Sequence, residues 1–95
     1  METLDTNLLT ILNGIDKEYY ALKLSDKRSY KIMNIYGKVF GTITPYLIGE
    51  KGAYIDFDNQ ITDLSLDELI VITKMVSIVD EYEKQIWILF IEYMK

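Results

Sequence analysis

Apolar residues recur along this chain in three rhythms. Leu4, Leu8, Ile11, Leu12 and Ile15 fall at helical spacing, and Gly14 is a candidate terminator. The spacing predicts a short amphipathic helix over 4–13, with Thr3 and Asp5 as candidate N-caps. From Tyr19 the period drops toward two. Tyr20, Leu22 and Leu24 fall on one side of a strand over Tyr19–Ser25, with Lys23 on the other. The polar turn Ser25–Ser29 leads to a second strand over Tyr30–Tyr36, and Gly37-Lys38 forms a tight turn. A third strand, Val39–Thr44, is closed by Pro45, which cannot donate to a ladder. The turn at Gly49–Gly52 is flanked by Tyr46-Leu47-Ile48 and Ala53–Phe57. Short turns between successive strands indicate an antiparallel meander rather than βαβ units.

The last third returns to helical period. Ser65 and Glu68 match a capping box, with Leu64 and Leu69 at the two hydrophobic staple positions. No Gly or Pro follows, so one helix is expected to run to the C-terminus. Thr73, Lys74, Ser77, Asp80, Glu81, Lys84, Gln85, Glu92 and Lys95 share its polar face. Leu69, Ile72, Met75, Val76, Val79, Tyr82, Ile86, Leu89, Phe90 and Tyr93 share the opposite one. The expected fold is α+β in one domain spanning 1–95: a short N-terminal helix, a three- to five-stranded meander, and a long amphipathic C-terminal helix across it.

That helix would be long for its domain. About 29 residues at 1.5 Å each span about 43 Å, whereas a compact chain of this size has a radius of gyration of about 12 Å. Its far end, Ile86-Trp87-Ile88-Leu89-Phe90-Ile91, is apolar nearly all round, and such a helix is normally buried. Either the chain's own elements wrap that end, or a second chain covers it. A homodimer is the simplest form of the second case. Trp87, Ile88, Phe90 and Ile91 are the candidate self-association residues.

Composition narrows the chemistry. The chain has no His and no Cys, which removes the imidazole base, the thiol nucleophile, the disulfide scaffold and the commonest transition-metal ligands. No cofactor is implied. The six-residue apolar run is far short of the roughly twenty that a membrane span needs. The acidic first residues lack the basic region of a signal peptide. A cytoplasmic protein with no membrane contact is expected.

Net charge is −5, unevenly spread. Residues 17–38 carry +4 and the remainder −9. Lys23, Lys27, Arg28 and Lys31 form a basic patch interleaved with tyrosines, a composition that can bind single-stranded nucleic acid or an acidic protein surface. Asp56, Asp58, Asp63, Asp67, Asp80, Glu81 and Glu83 form the acidic counterpart, able to meet a protein partner or to mimic phosphates in a nucleic-acid groove. The stretch 56–67 opens like an EF-hand loop but holds Ile61 where Gly is needed and Asp67 where a bidentate Glu is needed. Asp56 and Asp58 share a strand face, the minimal arrangement for a small metal-dependent enzyme, with no companion group identifiable.

In general character the chain is similar to small acidic proteins of phages and other mobile elements, which often bind and inhibit a host factor. The expected function is therefore a non-catalytic protein-binding inhibitor or regulator. It would act as a small homodimer on a host macromolecule such as a nucleic-acid-processing or defence enzyme. The alternatives are a nucleic-acid-binding module using the hairpin 23–38, and the metal-dependent enzyme at Asp56 and Asp58.

Overall fold

The computed structural model describes residues 2–25, 28–45 and 52–94, with the side chains of 2–6, 86–91, 93 and 94 outside that description. The predicted order of elements holds. Helix α1 (Glu2–Asn13) precedes strands β1 (Tyr19–Lys23), β2 (Tyr30–Asn34), β3 (Val39–Thr44) and β4 (Tyr54–Phe57), and helix α2 (Leu66–Met94) follows. The four strands form one antiparallel sheet in the order β1-β2-β3-β4. The expected strand segment at Tyr46-Leu47-Ile48 lies outside the described residues.

Both helices lie on one face of the sheet. Leu8 and Leu12 of α1, Ala21, Tyr30, Ile32, Phe40 and Ile43 of the sheet, and Val71, Ile72, Met75 and Val79 of α2 make the buried core. In β1 the inner side is Tyr19–Ala21–Lys23, and Leu22 on the opposite side is 47% exposed. Hydropathy alone favours Leu22, but register decides. Ala21 pairs with Ile32, and a small residue there leaves room for α1.

One irregularity shapes the sheet. Ile32 pairs with Gly41 while Met33 pairs with Val39, so Phe40 is an inserted residue. Such a bulge rotates the side chain at the insertion. Phe40 turns inward, is fully buried and stacks on Tyr19 at 5.7 Å between ring centroids. Gly41 has φ +156°, and a Cβ there would sit 2.9 Å from the Phe57 Cα. Close approach of β3 and β4 therefore excludes a side chain at this position.

Helix α2 starts as its capping box requires. The Glu68 N–H donates to Ser65 Oγ at 3.1 Å, and the Ser65 N–H donates to Glu68 Oε1 at 2.8 Å. The helix continues without a break across Asp80–Glu83. Its buried stripe is rotated from the expected one. Val71 is buried, Leu69 is 41% exposed, and Glu83 occupies the core-facing stripe at 5% exposure. Leu69 faces the outer flank of the sheet, where no further strand stands among the described residues.

Gly41→Ala is expected to cost more than about 1 kcal/mol, read as a lower urea midpoint. An unchanged midpoint would show that β3 and β4 can separate without loss.

Candidate functional site

Three cations of the basic hairpin, Lys23, Arg28 and Lys38, are directed onto the chain's own elements. Arg28 Nη2 donates to both oxygens of Glu83, at 2.9 and 2.7 Å. Lys38 Nζ lies 2.9 Å from Glu68 Oε2 and 5.3 Å from the Phe40 ring centroid. Lys23 Nζ sits 4.9 Å over the Tyr30 ring. Lys31 stands on the outer sheet face, between Leu22 and Thr42 in register. Lys27 lies outside the described residues. The hairpin thus does not present its cations as one open row. Arg28 and Lys38 instead clamp β-hairpin ends to two points on α2, one near its start and one fifteen residues on.

Glu83 is the residue whose partner sequence reasoning missed. Its signal was present: it lies four residues beyond Val79 and eight beyond Met75, on the core stripe. A carboxylate there requires a cation, and the hairpin supplies one.

The acidic residues divide into two groups. Glu68, Asp80 and Glu83 are each held by the fold. Asp80 Oδ1 accepts the Ala53 N–H at 2.9 Å, and its other oxygen meets Lys84 at 2.8 Å. The Ser65 N–H and then Lys38 hold the Glu68 carboxyl below its ordinary value of 4.5. Lys84 and then the Ala53 N–H hold Asp80 below 3.8. Burial chiefly, then the nearby carboxylate of Glu68, raises the Tyr19 phenol. Glu81 is exposed beside Ile11, Tyr82 and Gln85 in a hollow between α1 and α2.

Asp56, Asp58, Asp63 and Asp67 form the second group. None makes an ion pair among the described residues. Asp58 Oδ1 accepts the Gln60 N–H at 2.9 Å, closing a local turn. Asp58 and Asp63 line one stretch of surface. A hollow of about 460 Å³ runs from Gly37 and Lys38 to Asp58, Ile61 and Asp63. It shares Ile61, Thr62 and Asp63 with a second hollow, reaching Phe57, Leu64 and Leu69. Leu69 in turn borders a third, with Leu66, Ile70, Thr73 and Lys74. The result is a continuous apolar ledge along β4 and the first two turns of α2. Phe57, Leu66, Leu69 and Ile70 are 47%, 72%, 41% and 44% exposed.

This ledge was not expected from sequence. Leu66, Ile70 and Thr73 recur at i, i+4 and i+7, a second strip beside the core stripe. That spacing was the available signal. Among the described residues no three carboxylates converge as a metal-ligand set. No described helix is long and apolar enough to cross a membrane.

The candidate site is therefore an acid-rimmed apolar surface on an α+β protein. No family model, curated protein or solved structure matches the chain.

Arg28→Ala should destabilise by about 1–3 kcal/mol, less than for a fully buried pair because Arg28 is half exposed. Replacing Glu83 by Leu in the same chain should recover most of that loss. Additive losses in chemical denaturation would show that the two side chains are not coupled.

Acid should weaken the fold in a defined way. The lowered carboxyls of Glu68 and Asp80 contribute stability that is full above their ordinary values. It is lost as pH falls through their lower folded-state values. The melting temperature should fall between about pH 5 and about pH 2, and Glu68→Gln should flatten that fall. Parallel curves for the two proteins would contradict it.

Proposed function

We propose that this chain is a non-catalytic protein-binding protein, an inhibitor or regulator of another macromolecule, that works as a small homodimer. The observation that carries the reading is the mismatch between α2 and the body it packs on. The helix runs 29 residues, and the molecule measures 47 Å along its axis against 25 Å across. Strands of four to six residues cover only about 13–20 Å of a helix lying along them. The last described side chains of α2 that line a hollow with α1 are those of Glu81, Tyr82 and Gln85. Nine more residues follow in helical backbone, Ile86–Met94, and positions 86–91 are all apolar.

A helix segment of this composition needs a cover. Association of two copies through Trp87, Ile88, Phe90 and Ile91 supplies it. Aromatic residues such as Trp87 and Phe90 are among the types that dominate binding energy. The ion pairs of Arg28 and Lys38 weigh against the nucleic-acid alternative, since these contacts must be broken before phosphate can take those two cations. The target of the homodimer would be met on a different surface from the one that joins the copies.

Sedimentation at micromolar concentration should give a particle of twice the 11.1 kDa chain mass. Trp87→Glu and Ile88→Glu should each give a folded monomer, with helical circular dichroism retained. A monomeric wild-type chain would refute the homodimer.

A further inference from the structure

The two edges of the sheet are treated differently. In β1 the residues with N–H and C=O turned away from β2 are Tyr19, Ala21 and Lys23. This follows from the register, since the Leu24 N–H bonds to Ser29 across the hairpin. The outward Ala21 N–H is occupied, donating to Asn13 Oδ1 of α1 at 2.7 Å. At the other edge the Asp58 N–H donates to the Phe40 carbonyl at 2.9 Å. Alternation then directs Asp56 and Tyr54 toward β3, and turns the N–H and C=O groups of Ile55 and Phe57 outward. Neither outward N–H donates to another backbone group among the described residues. So β1 is stoppered by a side chain of the fold, and β4 presents an open ladder among the described residues.

What flanks that ladder has a definite chemistry on each side. On the inner side, a strand laid beside β4 would meet Phe57 and the apolar flank of α2 at Leu69 and Ile70. On the outer side it would stand beside Asp56, which shares that face with Thr42 and Lys31. Asp63 borders the ledge, and neither Asp56 nor Asp63 is ion-paired among the described residues. Side chains alternate along a strand. A fitting strand would therefore carry apolar residues at every second position and cations between them.

We infer that β4 takes up an extended segment of a protein partner as a fifth strand, and that this segment alternates apolar residues with Lys or Arg. This rests on the reading of the chain as a binding protein, and it names the surface and the chemistry of the target. Main-chain bonds to Ile55 and Phe57 supply pairing, while the ledge and the aspartates supply selection. A second copy of this chain is the poorer occupant. Its own β4, Tyr54–Phe57, carries no cation to meet Asp56 in any register, and pairing about a two-fold axis at Asp56 would set two carboxylates side by side, where like charges destabilise a strand pair.

The test uses a fluorescent octapeptide alternating Val and Lys, and a block peptide of the same composition in which all the valines precede all the lysines. The alternating peptide should bind at least about tenfold more tightly than the block peptide, by fluorescence anisotropy. Amide shifts should concentrate at residues 55–57. Ile55→Pro removes an outward donor while leaving the bonds to β3 in place, and it should weaken binding by about tenfold or more. Asp56→Lys should shift preference toward an alternating Val–Glu peptide. Equal binding of the two Val–Lys peptides, or no binding up to about 1 mM, would overturn the inference. So would undiminished binding by a folded Ile55→Pro protein. Loss of a wild-type dimer on Ile55→Pro would assign the edge to a second copy and also overturn it. The Trp87→Glu sedimentation result is read separately, so failure at β4 and failure of the homodimer are distinguishable.

Discussion

A 29-residue helix on a sheet whose strands are four to six residues long is the constraint from which the rest of the molecule follows. Strands of that length span about 13–20 Å, short of the roughly 43 Å of α2. The part packed on the sheet must then be fixed firmly enough to orient the rest. It is fixed at three points. Lys38 meets Glu68 in the first turn, the Ala53 N–H meets Asp80 in the middle, and Arg28 meets Glu83 where the sheet gives out. Between them the apolar stripe Ile72–Met75–Val79 supplies most of the burial. Each polar contact individually is modest. Together they fix the direction of the helix.

The same contacts redistribute the charge. A +4 segment set in a −9 remainder suggests two opposed patches available to partners. Folding brings parts of them together. Arg28 and Lys38 neutralise Glu83 and Glu68, and Lys84 neutralises Asp80 within the helix. Of the acids left over, Asp56, Asp58 and Asp63 lie along β4 and the turn into α2, next to exposed apolar side chains.

The fold was largely legible because each element carries a local signal that tertiary contacts reinforce. The capping box at Ser65 and Glu68, the turn at Gly37 and the closure at Pro45 act within a few residues, and so read directly from sequence. Facing was less legible. Leu22 is more apolar than Ala21, yet Ala21 faces the core because its pairing with Ile32 sets the side. The bulge that turns Phe40 inward depends on Gly41 meeting β4, a long-range contact with no local signature. The ledge was hidden for a similar reason. Leu66 and Ile70 read as incidental apolar residues until β4 brings Phe57 beside Leu69. Glu83 was counted as surface charge because a charged residue on a core stripe is rare without a partner, and its partner lies 55 positions away.

An exposed strand edge is ordinarily a hazard, and a charged side chain on it is the usual protection against unwanted pairing. Asp56 can be read in that way alone. Protection by charge, however, acts against copies and acidic strands and not against basic ones. A lysine at that position, or a proline at Ile55, would guard the edge too, and neither is present. The opposite edge shows that this fold can close a ladder outright, through Asn13 on the Ala21 N–H. At β4 the guard is selective by sign, and the apolar ledge beside it offers a favourable surface to whatever strand the sign admits. Exclusion of self and admission of a basic strand are then consequences of one carboxylate, which is how specificity is commonly built: by a repulsive element placed inside an otherwise attractive surface.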